Sequence, residues 1–143
     1  MRHDELIGQV QARAGLPDRG AAERAVRATL ETVAERVPDG VAEHLAAQLP
    51  AEVGEHVLRV TAAHDRTREQ RGKGDRFDLT TFLGRISWRT GSPEDAAIRD
   101  ATAVLEVLDA AVSPELMERL SRVLPRDIRT LMPTTRADET GRL

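Results

Sequence analysis

Histidine is the first residue type to question for chemistry, and the chain has four: His3, His44, His56 and His64. Glu52 and His56 lie four residues apart, as paired metal ligands on one helix face would. A metal site needs three or four donors, and no further ligand pair stands near them in sequence. A surface or half-buried helix histidine is therefore the favoured reading of His44 and His56. His3 is terminal and His64 opens a charged stretch. Serine offers no better nucleophile. Ser92 and Ser113 precede prolines and read as helix caps, while Ser87 and Ser121 have no His or acid at a motif spacing. Gly72-Lys73-Gly74 lacks the flanking strand and the Ser/Thr of a phosphate-binding loop. Cysteine is absent, which removes thiolates, disulfides and Cys-ligated metals. No catalytic residue, cofactor or metal site is expected, and the chain is not read as an enzyme.

The residues that recur do so because the chain repeats itself. Gly8, Arg13, Gly15 and Pro17 match Gly84, Arg89, Gly91 and Pro93 at one constant offset. After one residue is dropped near Gly20, Ala21, Arg24, Ala28, Leu30, Glu31 and Val37 match Ala96, Arg99, Ala103, Leu105, Glu106 and Val112, with Leu49-Pro50 opposite Leu124-Pro125. Two segments of about fifty residues thus encode one supersecondary unit used twice. The histidines are not duplicated: Arg119 stands opposite His44 and Leu131 opposite His56.

Arg13 and Arg89 are duplicated, each just before a capping glycine. The favoured account is a cation at a helix C-terminus, which contributes ~0.3–1 kcal/mol. The functional alternative makes them symmetric anion contacts in a cleft between the copies. Trp88, opposite Ala12, either anchors a partner, as tryptophan often does at binding hot spots, or fills the gap where the copies meet. Filling the gap is the favoured reading. Arg13, Arg89 and Trp88 are the candidate interaction residues.

Helices must position these residues. Leu6, Ile7, Val10 and Ala14 form an apolar stripe on a helix from about Asp4, closed by Gly15 and Pro17. A long helix follows from near Asp18 to near Val37 over Ala22, Val26, Leu30, Val33 and Val37. Asp39 is read as the cap of a third helix facing inward through Val41, Leu45 and Leu49. Pro50 is placed in the first turn of a fourth, with Val53, Val57 and Val60 inward. The second copy opens with Phe77 and Phe82 flanking the cap Asp78 as a hydrophobic staple. Its helices then follow the starts Ser92-Pro93-Glu94-Asp95 and Ser113-Pro114-Glu115, and Pro125 opens a last short helix with Ile128, Leu131 and Met132.

No segment alternates long enough for a strand. The expected fold is an all-α bundle of two homologous repeats of about four helices each, related by a pseudo-twofold: residues 1–63, a charged linker 64–76, residues 77–132 and a disordered tail 133–143. Each half has about a dozen aliphatic side chains at ~1.5–3 kcal/mol apiece, against ~1–2 kcal/mol of backbone entropy per residue. The halves are therefore expected to share one core, with a loose two-lobed arrangement as the alternative.

Composition narrows the role. Aromatic residues are 2% of the chain, so bases and sugars find few stacking platforms. The net charge of -3, from 21 basic and 24 acidic residues intermixed, argues against a strong field for nucleic acid. Without an apolar run near ~20 residues no membrane span is expected. The start Met1-Arg2-His3-Asp4-Glu5 lacks a signal-peptide pattern, so a cytoplasmic protein is expected. Abundant arginine with Lys73 as the one lysine fits a GC-rich bacterial genome.

Asp4-Glu5-Leu6-Ile7, Arg13-Ala14-Gly15-Leu16, Thr29-Leu30-Glu31-Thr32-Val33 and Gln48-Leu49-Pro50-Ala51-Glu52 together resemble the bacterial domain of unknown function 2267 family. Phe77-Asp78-Leu79, Phe82-Leu83, Val104-Leu105-Glu106-Val107-Leu108 and Leu124-Pro125-Arg126-Asp127 are similar to that family's second half. The likeness covers about Met1 to Met132. It departs at His3, where an aromatic residue is expected, and at Pro38, where an aliphatic residue or polar cap is more usual. The resemblance implies a small all-helical cytosolic protein and carries no activity, cofactor or catalytic residue with it. The expected function is a non-enzymatic interaction module with a protein partner or a second copy of itself. The alternative is a nucleic-acid-associated regulator using the basic linker and arginine-rich helix faces.

Overall fold

In the computed structural model, which describes residues 1–63 and 75–133, helices start and stop where the sequence withdraws a backbone hydrogen bond. Helix α1 (His3–Ala14) ends on Gly15 at φ 63°, and α5 (Leu79–Thr90) ends on Gly91 at φ 74°, a left-handed conformation that favours glycine. Beyond α1, Leu16 N–H donates to the Gln11 carbonyl at 3.0 Å. Beyond α5, Ser92 N–H donates to that of Ser87 at 3.2 Å, so both ends close with the same glycine turn. Helix α2 (Arg19–Arg36) is capped by Asp18, which accepts from Ala21 N–H, and α5 by Asp78, which accepts from Thr81 N–H. The Phe77 and Phe82 rings stack at 6.5 Å across that second cap.

Prolines set four other starts, and two expected caps are corrected. Pro38 stands at the cap of α3 (Asp39–Gln48), so Asp39 is its first helical residue, not its cap. Pro93, not Ser92, stands at the cap of α6 (Glu94–Ala111). Each proline carbonyl accepts the first helical bond, from Ala42 N–H at 3.1 Å and from Ala97 N–H at 3.0 Å, and neither helix has a side-chain cap bond. Ser92 belongs to the Gly91 turn, where the Ser87 hydroxyl donates to its carbonyl. Pro50 immediately precedes α4 (Ala51–Ala63), one residue before the expected first turn, and Pro125 precedes the short α8 (Arg126–Arg129). Helix α7 (Pro114–Val123) keeps the expected start: Ser113 accepts from Leu116 N–H, and Pro114 sits in the first turn.

Regular structure among the described residues is helical throughout, with no strand. Helices α1, α2, α5 and α6 form the centre: α1 packs on α2 and α6, α5 packs on α6 and α2, and α2 meets α6. Helices α3 and α4 pack on each other, α4 also covers α2, α7 lies against α3 and α6, and α8 against α5. One buried apolar cluster runs through all of them, from Leu6, Leu30 and Leu45 to Phe82, Leu105 and Leu120. Ala22, Ala25, Ala28 and Ala34 on α2, and Ala97, Ala101 and Ala103 on α6, keep these two helices slim enough to be contacted on several sides. The inward positions expected of the first four helices are buried, except that Val60 is only partly covered at the edge. The linker expected at 64–76 lies outside the described residues up to 74, and the tail beyond 133 lies wholly outside them.

Candidate functional site

The two duplicated arginines are engaged by carboxylates, each from the other half of the chain. Arg13, in the last turn of α1, donates from Nη1 to Glu106 Oε2 on α6 at 2.9 Å. Arg89, in the last turn of α5, places Nε 3.5 Å from Glu31 Oε1 on α2. In the sequence Arg13 matches Arg89 and Glu31 matches Glu106, so these two ion pairs are reciprocal. The helix-terminus position and the recurrence of the glutamate were legible; their pairing was not, because nothing local specifies which helix will lie opposite.

Arg89 is the more tightly held of the two. Its Nη1 also donates to Glu35 Oε1 at 2.8 Å and to Thr32 Oγ1 at 2.6 Å. Arg85 adds a second guanidinium to Glu35 at 3.2 Å and lies over the Phe77 ring, 4.0 Å from its centroid. Arg36 donates to the Phe77 carbonyl at 2.9 Å, and Asp75 N–H donates to the Glu35 carbonyl at 2.8 Å. This network fastens the chain entering α5 onto the end of α2. Partial burial pushes the Glu35 carboxyl up, but hydrogen bonds and charge from Arg89 and Arg85 outweigh it and hold the group below its ordinary value. The same carboxylate raises Arg89. Arg13 and Arg89, considered from sequence as symmetric anion contacts in a cleft, each already face a carboxylate of this chain.

Trp88 does not fill a gap between the halves. It is 84% exposed, on the side of α5 away from buried Phe82, Leu83 and Ile86. Its phase carried the signal: two residues beyond Ile86 is about 200° around a helix from the buried stripe. Ile98 on α6 and Leu58 on α4 are the other large apolar side chains well exposed within helices.

A cleft that sequence reasoning missed opens between α1, α2 and α4. It has a volume of about 390 Å³ and is lined by His3, Glu23, Arg24, Arg27, Glu52 and His56, with Ile7, Val26 and Val53 behind them. His3 Nδ1 lies 3.8 Å from Glu52 Oε2, while Arg59 donates to His56 Nδ1. Burial first, then the charge of Arg59, push His56 below its ordinary pKa; Glu31 opposes them, and Arg27 and Glu55 add lesser effects of opposite sign. No group of three or more His, Cys, Asp or Glu among the described residues is placed to hold a metal ion. None of the described helices is long and apolar enough to cross a membrane. No curated protein matches the chain. The model of one family, described as an uncharacterized conserved protein (DUF2267), matches residues 3–131, a span holding every helix described above, and the chain belongs to that family.

Proposed function

We propose that this chain is a non-enzymatic interaction module, built from two homologous halves about a pseudo-twofold, which associates with a second copy of itself through the face of α5 that carries Trp88. The observation that carries this reading is the exposure of the only tryptophan, at 84%, on a helix whose other side is fully anchored. Tryptophan is enriched among residues that dominate binding energies, and an indole left in water contributes nothing to its own fold. Support for the pseudo-twofold comes from the reciprocal pairs Arg13–Glu106 and Arg89–Glu31. His44 and Arg119, counterparts in the sequence, face each other at 3.5 Å, as a residue and its own copy must near such an axis. The nucleic-acid alternative has less to rest on, since Arg13, Arg19, Arg85, Arg89 and Arg99 are already paired with carboxylates.

Light scattering across a concentration series, read together with emission from the single indole, tests the proposal. The expected result is a mass above 15.7 kDa with emission moving to shorter wavelength as the indole is covered. Trp88→Ala should return the chain to a monomer while leaving its own stability within about 0.5 kcal/mol, as for other exposed sites. A monomer at every concentration with unshifted emission overturns the proposal.

A further inference from the structure

The cleft between α1, α2 and α4 is lined by two arginines and two glutamates, and they differ in how far each is already engaged. Glu23 accepts from Arg19 Nε at 2.9 Å, and Arg19 is not part of the lining. Glu52 faces His3, and Glu31, whose charge reaches His56, is turned to Arg89. Arg24 and Arg27 stand three residues apart on one face of α2, and among the described residues neither has a carboxylate within ion-pair distance. Because a guanidinium can only donate, the Arg59 bond makes His56 Nδ1 an acceptor, and neutral His56 then carries its proton on Nε2 as a further donor.

The matched positions of the second half lack this combination. His3, Glu23, Arg27 and His56 correspond to Leu79, Ile98, Thr102 and Leu131. The two positions that keep their charge type, Arg99 and Asp127, are occupied otherwise: Arg99 pairs with Asp100 at 3.1 Å, and Asp127 accepts from Leu79 N–H at 2.8 Å. The polar cluster is thus confined to one half, where it surrounds a volume larger than a bare oxyanion fills and within the range of small-molecule sites.

We propose that this cleft binds a small hydroxylated molecule bearing a phosphate or carboxylate group, with the anionic end on Arg24 and Arg27 and a hydroxyl donating to Glu52. Guanidinium groups match the planar and forked acceptors of such anions. Glu52 then selects for a ligand that brings its own donor, and against a bare anion.

Amide NMR titrations of the full chain at constant ionic strength, with glycerol 3-phosphate, glycerate, sulfate and glycerol, test the site. Saturable shifts confined to α2 near Arg24 and to α4 near Glu52 are expected with glycerol 3-phosphate or glycerate, and none with glycerol. Arg24→Gln combined with Arg27→Gln should weaken that binding about tenfold or more, since charge-assisted bonds are lost. Both side chains are exposed, so the thermal transition of the variant should stay in place. Glu52→Ala, which removes the acceptor, should abolish the preference for glycerol 3-phosphate over sulfate. Failure of both hydroxylated anions to saturate, or affinity unchanged in the double variant, overturns the site. Equal affinity for sulfate in the unmodified chain overturns the role given to Glu52.

Discussion

Glu35 accepts from two guanidiniums at once, and this makes its stability contribution pH-dependent. Its folded pKa lies below the ordinary 4.5. A depressed carboxylate stabilises the fold fully above the unfolded value, and that contribution is lost as the pH falls through the folded value. Glu35→Gln should lower stability at pH 7 by about 1–3 kcal/mol, the scale of hydrogen bonds to charged groups. The gap between the urea midpoints of variant and parent should narrow below pH 4; a gap of constant size would refute the linkage. Thr29 presents the opposite case. It is buried, and among the described residues its hydroxyl has no hydrogen-bond partner, whereas Thr32 Oγ1 donates to the Ala28 carbonyl at 2.7 Å. The matched residue in the second half is Val104. Thr29→Val keeps the shape and removes the unsatisfied group, so the urea midpoint should rise by an amount corresponding to ~1 kcal/mol. A lower midpoint would mean that the hydroxyl has a use in the fold. Neither role was legible in the sequence. Glu35 has Ala110 as its counterpart and so drew no attention from the repeat, and a hydroxyl's partner depends on neighbours that only packing supplies.

Among elements, the contact between α3 and α4 is the tightest in its tolerance. A Cβ built on Gly54 would lie 2.7 Å from the Ala46 carbonyl oxygen, a backbone atom that cannot rotate aside. Gly54→Ala should therefore separate the two helices and cost about 1–3 kcal/mol, as overpacking does. Gly8, inside α1, has nothing within 4 Å of such a Cβ. Gly8→Ala should instead stabilise by about 0.5–1 kcal/mol through helix propensity alone. Thermal melts of both variants separate close approach from backbone entropy, and equal shifts of the same sign would defeat the argument. The helices themselves were largely legible: apolar stripes gave their inward faces, and Gly15, Asp18, Asp78, Gly91 and Ser113 gave their ends. The cleft was not, because its six polar residues come from three helices: Glu52 and His56 stand out as neighbours on one helix, but nothing local specifies which side chains will face them. Trp88 was legible in phase but was weighed by residue type, which favoured burial.

At the scale of the whole molecule, the question is whether either half has an interior of its own. Helix α1 packs on α6 as well as on α2, and α5 packs on α2 as well as on α6. The ion pair Arg13–Glu106 contributes little to this interlock, since both side chains are more than a third exposed and such pairs are worth about 0–1 kcal/mol. Apolar burial must supply the rest. Along α2 the buried residues Ala25, Val26, Ala28, Thr29, Leu30, Thr32, Val33 and Ala34 leave few consecutive positions free for water. A chain ending at residue 63 would therefore present an apolar side of α2 with no cover, while still bearing the entropy of ordering its own backbone, ~1–2 kcal/mol per residue. Residues 1–63 and 75–143, prepared separately, should each show weak helical circular dichroism and no cooperative melt. Mixed at equal concentration, they should gain helix and melt in one transition whose midpoint rises with concentration, because folding is then an association. Cooperative unfolding of residues 1–63 alone would show that the first half closes its own core, and the shared interior inferred from α1 on α6 and α5 on α2 would have to be abandoned.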